Sequence, residues 1–237
     1  MRPISGPAIV VREASDGEVS AALAAAAAHV GPAVVVSSAG WLAVEHLLGS
    51  HLNALELGRP TVLADLADLL RRWHETDVTL AEAPMAPLRE AYLEGIPSGA
   101  LRAGLEADAA RADALERQLE KASVRRVPSH LDVAANVLAT PRGLRLIDFE
   151  YAAAADPARE LGQVVWEAEL DRQGLCRLVR AYGTDAGVAE EATAGWAWIT
   201  GVTWTLWALA LGDSAAMPQY GRRSRERLQH YWARTGG

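Results

Sequence analysis

One stretch of this chain, residues 129–161, constrains its fold more than any other. It reads SHLDVAANVLATPRGLRLIDFEYAAAADPAREL and places polar residues on short loops between apolar runs. Asp132 follows His130 by two residues, Asn136 comes four later, and an apolar run predicted to be a strand ends at Asp148. This arrangement is typical of phosphoryl transfer, in which one carboxylate takes a hydroxyl proton while an Asn and a second Asp hold Mg²⁺ against nucleotide phosphates.

The same residues resemble the catalytic core of the aminoglycoside phosphotransferase and choline/ethanolamine kinase families. The resemblance implies that Asp132 is the catalytic base and that His130, in the same catalytic site, organises its loop. Asn136 and Asp148 are then ligands of Mg²⁺, which prefers hard oxygen donors. The families carry H-x-D-x-x-x-x-N, I-D-F/W-E-Y/F and D-P-x-x-D/E-L, and the matching segments here are 130–136, 147–151 and 156–161. In one departure, three residues separate the Asp from the Asn here, where the families have four.

Each of these polar residues also has a structural interpretation. Asp132 and Asn136 are residue types that often cap turns by bonding their own backbone, but within this constellation we favour the functional interpretation. Glu150 is either a polar contact near the metal and the substrate or an ordinary charge at the end of a strand. Asp156 and Glu160 are interpreted as structural, since Asp156 precedes a proline and is a good helix N-cap.

Composition excludes several other classes of protein. The 237 residues are 50% hydrophobic, enough for one large domain or two small lobes, and Cys176 as the single cysteine excludes an internal disulfide. The N-terminus lacks the apolar region of a signal peptide, and residues 196–211 are too short and too rich in Trp and Thr for a membrane span. We therefore expect a cytoplasmic protein with no membrane partner. A net charge of −7 argues against a nucleic-acid partner and is compatible with a small cationic substrate.

The resemblance implies an α+β, protein-kinase-like fold with two lobes. Residues 1–46 would form a reduced N-terminal lobe, and residues 47–237 a mainly helical C-terminal lobe around the catalytic loop at 129–151. In the small lobe Arg12 takes the place of the basic residue that reaches the ATP phosphates, and Glu18 is the acid best placed to pair with it. A solvated Arg at the end of a strand is an equally acceptable interpretation of Arg12.

The segment Glu45-His46-Leu47-Leu48-Gly49 resembles the family hinge E-x-L-x-G, whose backbone binds adenine, so Glu45 and Leu47 are candidate nucleotide contacts. Few residues precede Arg12, and the glycine-rich loop that covers the nucleotide phosphates in such lobes has no counterpart there. Three explanations stay open: a naturally reduced lobe, a start further upstream, or a relative of the fold that no longer transfers phosphate. For the 237-residue chain we expect weak nucleotide binding, with Arg12 as the main phosphate contact of this lobe.

Hydrophobic periodicity and turn residues predict the remaining elements. His74 is expected to be a packing residue within its helix. The predicted strands are 8–11, 33–37, 41–45, 124–127 and 144–147, with a hairpin turn at 38–40; the predicted helices are 18–30, 65–74, 89–93, 98–122, two that end at 166 and 182, 189–211 and 220–234.

Six of the eight tryptophans lie from residue 166 onward, and three of them are candidate substrate contacts: Trp166, Trp204 and Trp207. Trp rings can bind a quaternary ammonium by cation–π attraction, as resemblance to the choline kinases implies. The alternative is that tryptophans at this helical spacing only pack neighbouring helices.

These observations predict a kinase that transfers the γ-phosphate of ATP or GTP, with Mg²⁺, to a hydroxyl of a small amine-bearing acceptor such as an aminoglycoside or an amino alcohol. The competing hypothesis is a catalytically silent binding module that keeps the pocket for a small cationic metabolite. Neither the acceptor nor the oligomeric state follows from the sequence.

Overall fold

The computed structural model of the chain describes residues 8–183, 188–211 and 223–227. Its N-terminal part is a three-stranded antiparallel sheet packed against one helix, and the Ser38-Ala39-Gly40 hairpin is confirmed, with Gly40 at φ 80°. The strands are β1 (Ile9–Glu13), β2 (Val34–Ser38) and β3 (Trp41–Glu45), in the order β1-β3-β2, and the helix is α1 (Asp16–Ala27).

The inner face of this sheet packs on α1 through a small apolar cluster of Ala14, Ala22 and Leu42. Helix α1 begins where the side chain of Ser15 accepts the backbone N–H of Glu18 at 3.2 Å. The register places Arg12 opposite Leu42. The sheet and helix therefore bring Arg12 and Glu18 to the same side of this layer.

Two further small sheets position the catalytic loop. One consists of β4 (Ser50–His51), β6 (Val137–Thr140) and β7 (Gly143–Leu146), and the other of β5 (Val127–Ser129) and β8 (Ala153–Ala155). The catalytic loop leaves β5 and returns through β6, and Asp148 follows β7. The strand predicted at 144–147 is confirmed, whereas the strand predicted at 124–127 begins at Val127. Strands β6 and β8 were not predicted.

The remaining elements of the described chain are helices joined by loops, and the predicted helices are confirmed with shifted ends, while the short helix α2 was not predicted. Helix α6 begins as predicted, because Asp156 accepts the N–H of Ala158 at 2.8 Å ahead of a proline at the first helical position. The helices are α2 (Ala54–Leu57), α3 (Pro60–His74), α4 (Ala86–Gly95), α5 (Ala100–Ala122), α6 (Pro157–Glu167), α7 (Arg172–Tyr182) and α8 (Glu190–Ala210). Of the helix predicted at 220–234, residues 223–227 are helical and the others lie outside the described residues.

Helices α6 and α8 form the centre of the apolar core. Two glycines permit their close approach: a Cβ at Gly162 would lie 2.6 Å from the Cβ of Trp196, and one at Gly201 would lie 2.6 Å from the ring of Trp166. The buried threonines of α8 satisfy their hydroxyls within the helix, as when Thr203 donates to the carbonyl of Ile199 at 2.9 Å. Within residues 8–183, 188–211 and 223–227, no helix combines the length and apolarity needed to cross a membrane.

Candidate active site

Two cavities lie on either side of the catalytic loop. The first, named the nucleotide-side cavity after the sequence prediction, has about 380 Å³, lies under the three-stranded sheet and is lined by Arg12, residues 45–49 and Asp148. The second, named the acceptor-side cavity on the same basis, has about 640 Å³ and is lined by Asp132 and by several aromatic and charged side chains. The catalytic loop therefore separates two spaces of a size suited to small molecules.

Asp132 and Asn136 are in direct contact within the loop. The Nδ2 group of Asn136 donates to the backbone carbonyl of Asp132 at 2.9 Å and to its carboxylate oxygen Oδ2 at 2.7 Å. The loop therefore brings the two residues together although it has one residue fewer than the family pattern. Burial raises the pKa of Asp132, while His130 and the hydrogen bond from Asn136 oppose that rise.

His130 uses both ring nitrogens inside the protein. It is fully buried, its Nε2 lies 2.8 Å from the carbonyl of Ile147, and its Nδ1 accepts the backbone N–H of Asp132 at 3.3 Å. Its ring also packs edge-on against Phe149 at 4.8 Å. These contacts agree with the predicted role of His130 as an organiser of the loop.

A buried network anchors the start of the catalytic loop from α6. Glu160 accepts the backbone N–H groups of His130 and Leu131, and its other oxygen binds the ring of His74, whose Nδ1 lies 2.7 Å from the hydroxyl of Tyr182. Burial opposes the ionisation of Glu160, but the charge and hydrogen bond of His74 outweigh it and lower the pKa of Glu160. Burial raises the pKa of Tyr182 to about 12, so its hydroxyl stays protonated. His74 is thus a hydrogen-bonded part of this network as well as a packing residue.

Arg12 joins the sheet to the end of β7. Its guanidinium forms ion pairs with Glu18 on α1 and with Asp148, whose Oδ1 lies 3.0 Å from Nη2 of Arg12. The interpretation of Arg12 as a solvated strand-end residue is therefore wrong. Burial raises the pKa of Glu18, and the charge of Arg12 opposes that rise.

The region of Asp148 fits a divalent cation. Asp148 has a φ of 62°, a left-handed conformation that costs energy in a non-glycine residue and is common at functional sites. Oδ1 of Asp148 and Oε1 of Glu18 are buried, and both face the guanidinium of Arg12 as ion-pair partners. Among the described residues no group of three His, Cys, Asp or Glu forms a complete site, so an ion here would need further oxygen donors, as Mg²⁺ takes from phosphates and water.

The predicted hinge lines the nucleotide-side cavity. Both Glu45 and Leu47 are part of its wall, and the carboxylate of Glu45 accepts the backbone N–H of Ala33 at 3.1 Å. The side chain of Glu45 is thus hydrogen-bonded to the backbone just before β2.

Two of the three candidate tryptophans line the acceptor-side cavity. The rings of Trp204 and Trp207 meet edge to face at 5.9 Å, and both belong to the wall that contains Asp132. Trp204 also donates its indole N–H to Oε1 of Glu167 at 3.1 Å. Burial, reinforced by the charge of Asp132, raises the pKa of Glu167 to about 8.

The other two candidate substrate residues lie elsewhere. Trp166 is fully buried in the helical core, close to Gly201, with the guanidinium of Arg227 over its ring at 3.7 Å. It packs helices, and its assignment as a substrate contact is corrected for that reason. Glu150 is exposed next to Tyr151 and is not part of the cavity wall.

Sequence reasoning missed several residues of this site. Gln163 and Glu167 lie on the same face of α6 as Glu160, which was interpreted as structural, and all three contact the catalytic loop. A polar stripe in an otherwise apolar helix was the available signal. Tyr92 and Tyr151 also line the acceptor-side cavity, but neither carries a local pattern that reveals its position.

One family model and several curated proteins match this chain. A family model described as "APH: Phosphotransferase enzyme family" matches residues 10–199. A thiamine kinase of Salmonella paratyphi B is 32% identical over 162 residues, which are 68% of this chain and 56% of the relative. The chain thus spans a little over half the length of the curated relatives it matches.

Solved structures show the same fold. A choline/ethanolamine kinase family protein from Mesorhizobium loti superposes with a TM-score of 0.79 at 21% identity, covering 96% of this chain and 83% of the other. The choline kinase LicA from Streptococcus pneumoniae gives 0.72 at 21% identity, covering 97% and 87%; LicA in complex with AMP gives 0.73 at 21% identity, covering 96% and 86%. These likenesses confirm the α+β, kinase-like fold.

Proposed function

The chain belongs to the APH phosphotransferase enzyme family, and from that premise we propose that it is a small-molecule kinase acting on a hydroxyl of a small cationic acceptor. The observation that carries the proposal is the position of the catalytic loop. Asp132 lines the acceptor-side cavity, while Asp148 lines the nucleotide-side cavity under the sheet. A phosphate held at Asp148 and a hydroxyl held at Asp132 would meet between the two cavities.

In the proposed reaction the acceptor oxygen attacks the γ-phosphorus of ATP. The bond from that phosphorus to the bridging oxygen of the β-phosphate breaks, and ADP leaves as the acceptor becomes a phosphate monoester. Asp132 takes the proton of the attacking hydroxyl. Its raised pKa favours this role, because a more basic carboxylate accepts a proton more readily.

We assign the nucleotide to the cavity lined by Arg12 and the hinge at 45–49. The structure of LicA in complex with AMP supports a nucleotide as one ligand of this fold. Asn136 and Asp148 would hold Mg²⁺, because both offer hard oxygens, and the ion would take the place of Arg12 at Oδ1 of Asp148. Mg²⁺ supplies positive charge that stabilises the phosphates during transfer.

We propose residues 1–46 as the N-terminal lobe that covers the nucleotide and residues 47–237 as the lobe that binds the acceptor. The separate apolar cluster around Leu42 supports this division. The ion pair from Arg12 to Asp148 would then tie the two lobes together at the phosphates.

The acceptor-side cavity favours a positively charged molecule. Trp204, Trp207 and Tyr92 offer aromatic faces, and Glu167 and Asp132 offer carboxylates. The names of the relatives agree with this chemistry, since thiamine and choline each combine a positively charged nitrogen with a hydroxyl. We therefore propose an alcohol that carries a quaternary or protonated nitrogen as the acceptor class.

An acceptor screen tests this proposal. The 237-residue chain is mixed with MgATP, or with MgGTP, and each of thiamine, choline, ethanolamine, an aminoglycoside and a neutral nucleoside. We expect ADP formation that depends on a cationic alcohol, together with an acceptor that has gained one phosphoryl group by mass spectrometry. Equal ADP formation with and without every acceptor would overturn the proposal.

A further inference from the structure

The residue directly before Asp132 has an unusual backbone. Leu131 has a φ of 62°, in the left-handed region that residues with a Cβ rarely adopt. Its side chain is buried against Ala153 and Ala155 of β8. The backbone direction at Leu131 determines where the next residue, Asp132, points.

Helix α6 holds Leu131 by both of its backbone polar groups. Glu160 accepts the N–H of Leu131 at 2.9 Å, and Nε2 of Gln163 donates to the carbonyl of Leu131 at 2.7 Å. Gln163 is buried, and loss of its amide would remove the side-chain donor to the carbonyl of Leu131. Two adjacent turns of one helix therefore restrain a single strained residue.

Gln163 has a second contact that links it to the acceptor-side cavity. Its Nε2 also lies 3.2 Å from Oε1 of Glu167, which receives the indole N–H of Trp204. One amide group thus connects the loop that carries Asp132 with the wall that would receive the acceptor.

We propose that Gln163 is a positioning residue, which acts through the carbonyl of Leu131 to keep that residue left-handed and Asp132 directed at the acceptor hydroxyl. The proposal rests on the proposed function, because it takes Asp132 as the base. The proposal requires a neutral hydrogen-bond donor at position 163. An ionised carboxylate has no hydrogen to donate to the carbonyl of Leu131, and an aliphatic side chain cannot form a hydrogen bond with it.

The test is the pair of Gln163→Leu and the double variant Gln163→Leu with Leu131→Gly. Gln163→Leu should lower kcat roughly 10-fold to 100-fold, since small misplacements of a catalytic group have effects of this size, while the KM for ATP changes less than about twofold. Leu131→Gly should restore most of the lost kcat in the double variant, because glycine adopts a positive φ without steric cost. If Gln163 had only a structural role, Leu131→Gly would not restore the lost kcat.

Two further variants complete the comparison. Gln163→Met keeps the length of the side chain but removes the amide donor, so it should reproduce the loss of kcat if Gln163→Leu folds poorly. Gln173→Leu on α7 is the matched control, because Gln173 is an exposed helical glutamine remote from the loop. A kcat in both Gln163 variants equal to that of the control, or a loss that Leu131→Gly leaves unchanged, would overturn the proposal.

Amide hydrogen exchange of the full chain separates this proposal from the proposed function. The N–H groups of Leu131 and Asp132 should exchange at least about tenfold faster in Gln163→Leu than in Gln173→Leu, without any nucleotide or acceptor present. If no acceptor is phosphorylated, the proposed function fails while the exchange result still decides whether Gln163 holds the loop. Unchanged exchange at both amides would contradict the inference whatever the activity.

Discussion

Arg12 and Asp148 form an ion pair with Nη2 and Oδ1 at 3.0 Å, joining the first strand of the sheet to the residue that follows β7. The same guanidinium binds Glu18, so one positive charge faces two carboxylates. Because Arg12 and Asp148 both line the nucleotide-side cavity, a bound phosphate would compete with Asp148 for Arg12.

Replacement of Arg12 tests its role as a phosphate contact. Arg12→Ala should weaken nucleotide binding roughly 10-fold to 100-fold, the range for loss of a hydrogen bond to a charged group. Arg12→Lys should retain part of the affinity because it keeps the charge without the fork geometry. Isothermal calorimetry measures both, with the exposed Arg142→Ala as control. Submicromolar ATP binding in Arg12→Ala would show that another element holds the phosphates.

Asp148→Ala should weaken the binding of MgATP because it removes a proposed ligand of the metal. We expect the affinity for MgATP to fall at least tenfold, while the affinity for ATP in EDTA changes little, because a lost metal ligand matters only when the metal is present. The exposed Asp65→Ala on α3 is the matched control. Calorimetry that finds the same loss with and without Mg²⁺ would assign Asp148 to pairing with Arg12 alone.

Trp204→Leu should weaken acceptor binding and leave nucleotide binding intact. Loss of the ring removes a cation–π contact and the hydrogen bond to Glu167, so the KM for a cationic acceptor should rise roughly 3-fold to 30-fold. The KM for ATP should stay within about twofold. Trp41→Leu on β3, where the tryptophan is exposed, is the control. An equal rise for a neutral acceptor of the same shape would indicate packing in place of cation recognition.

The ionisation of Glu167 predicts a pH dependence of acceptor binding. Burial raises the pKa of Glu167 to about 8, so at pH 7 the free protein holds it mostly neutral. A cation in the cavity stabilises the carboxylate and lowers this pKa, so binding releases a proton and the affinity rises with pH up to about 8. The other charged groups that line the cavity are Asp132, Glu169, Arg223 and Arg227.

Titration of tryptophan fluorescence with a quaternary ammonium alcohol between pH 6.5 and 8.5 measures this effect. The dissociation constant should fall across the range by up to about tenfold per pH unit. Glu167→Gln removes the titrating group, so its dissociation constant should be nearly flat over the same range. A pH slope that persists in Glu167→Gln would assign the dependence to another group.

Local patterns in the sequence were sufficient to select most of the candidate residues of the catalytic loop. Asp132, Asn136 and Asp148 follow from spacing and from the strand before Asp148, and Asp156 follows from its place before a proline. These features depend on neighbours a few residues away, so they could be predicted before the fold was known. The pairing of Arg12 with Glu18 followed from the resemblance alone, since nothing local to Arg12 distinguishes it from a solvated residue, and its contact with Asp148 was not predicted.

The missed features depend on tertiary contacts. Residues 153–155 are three alanines, which favour helix by propensity, but pairing with β5 makes them a strand. Trp166 and Trp204 look alike in sequence, and only the packing of α6 against α8 puts one in the core and the other on the cavity wall. Glu167 becomes a site residue because α6 faces the loop, which its own sequence does not specify.

Acceptor phosphorylation by wild type and Asp132→Asn, measured side by side under MgATP, tests the central claim most directly. The account predicts a phosphorylated cationic alcohol with one equivalent of ADP in the wild type. In Asp132→Asn, turnover should fall by roughly 10²–10⁴, the usual contribution of a positioned base, with nucleotide affinity nearly unchanged. Equal turnover in the two proteins, or binding of the cation by both with no phosphorylated product, would contradict it; the second result would favour a silent binding module.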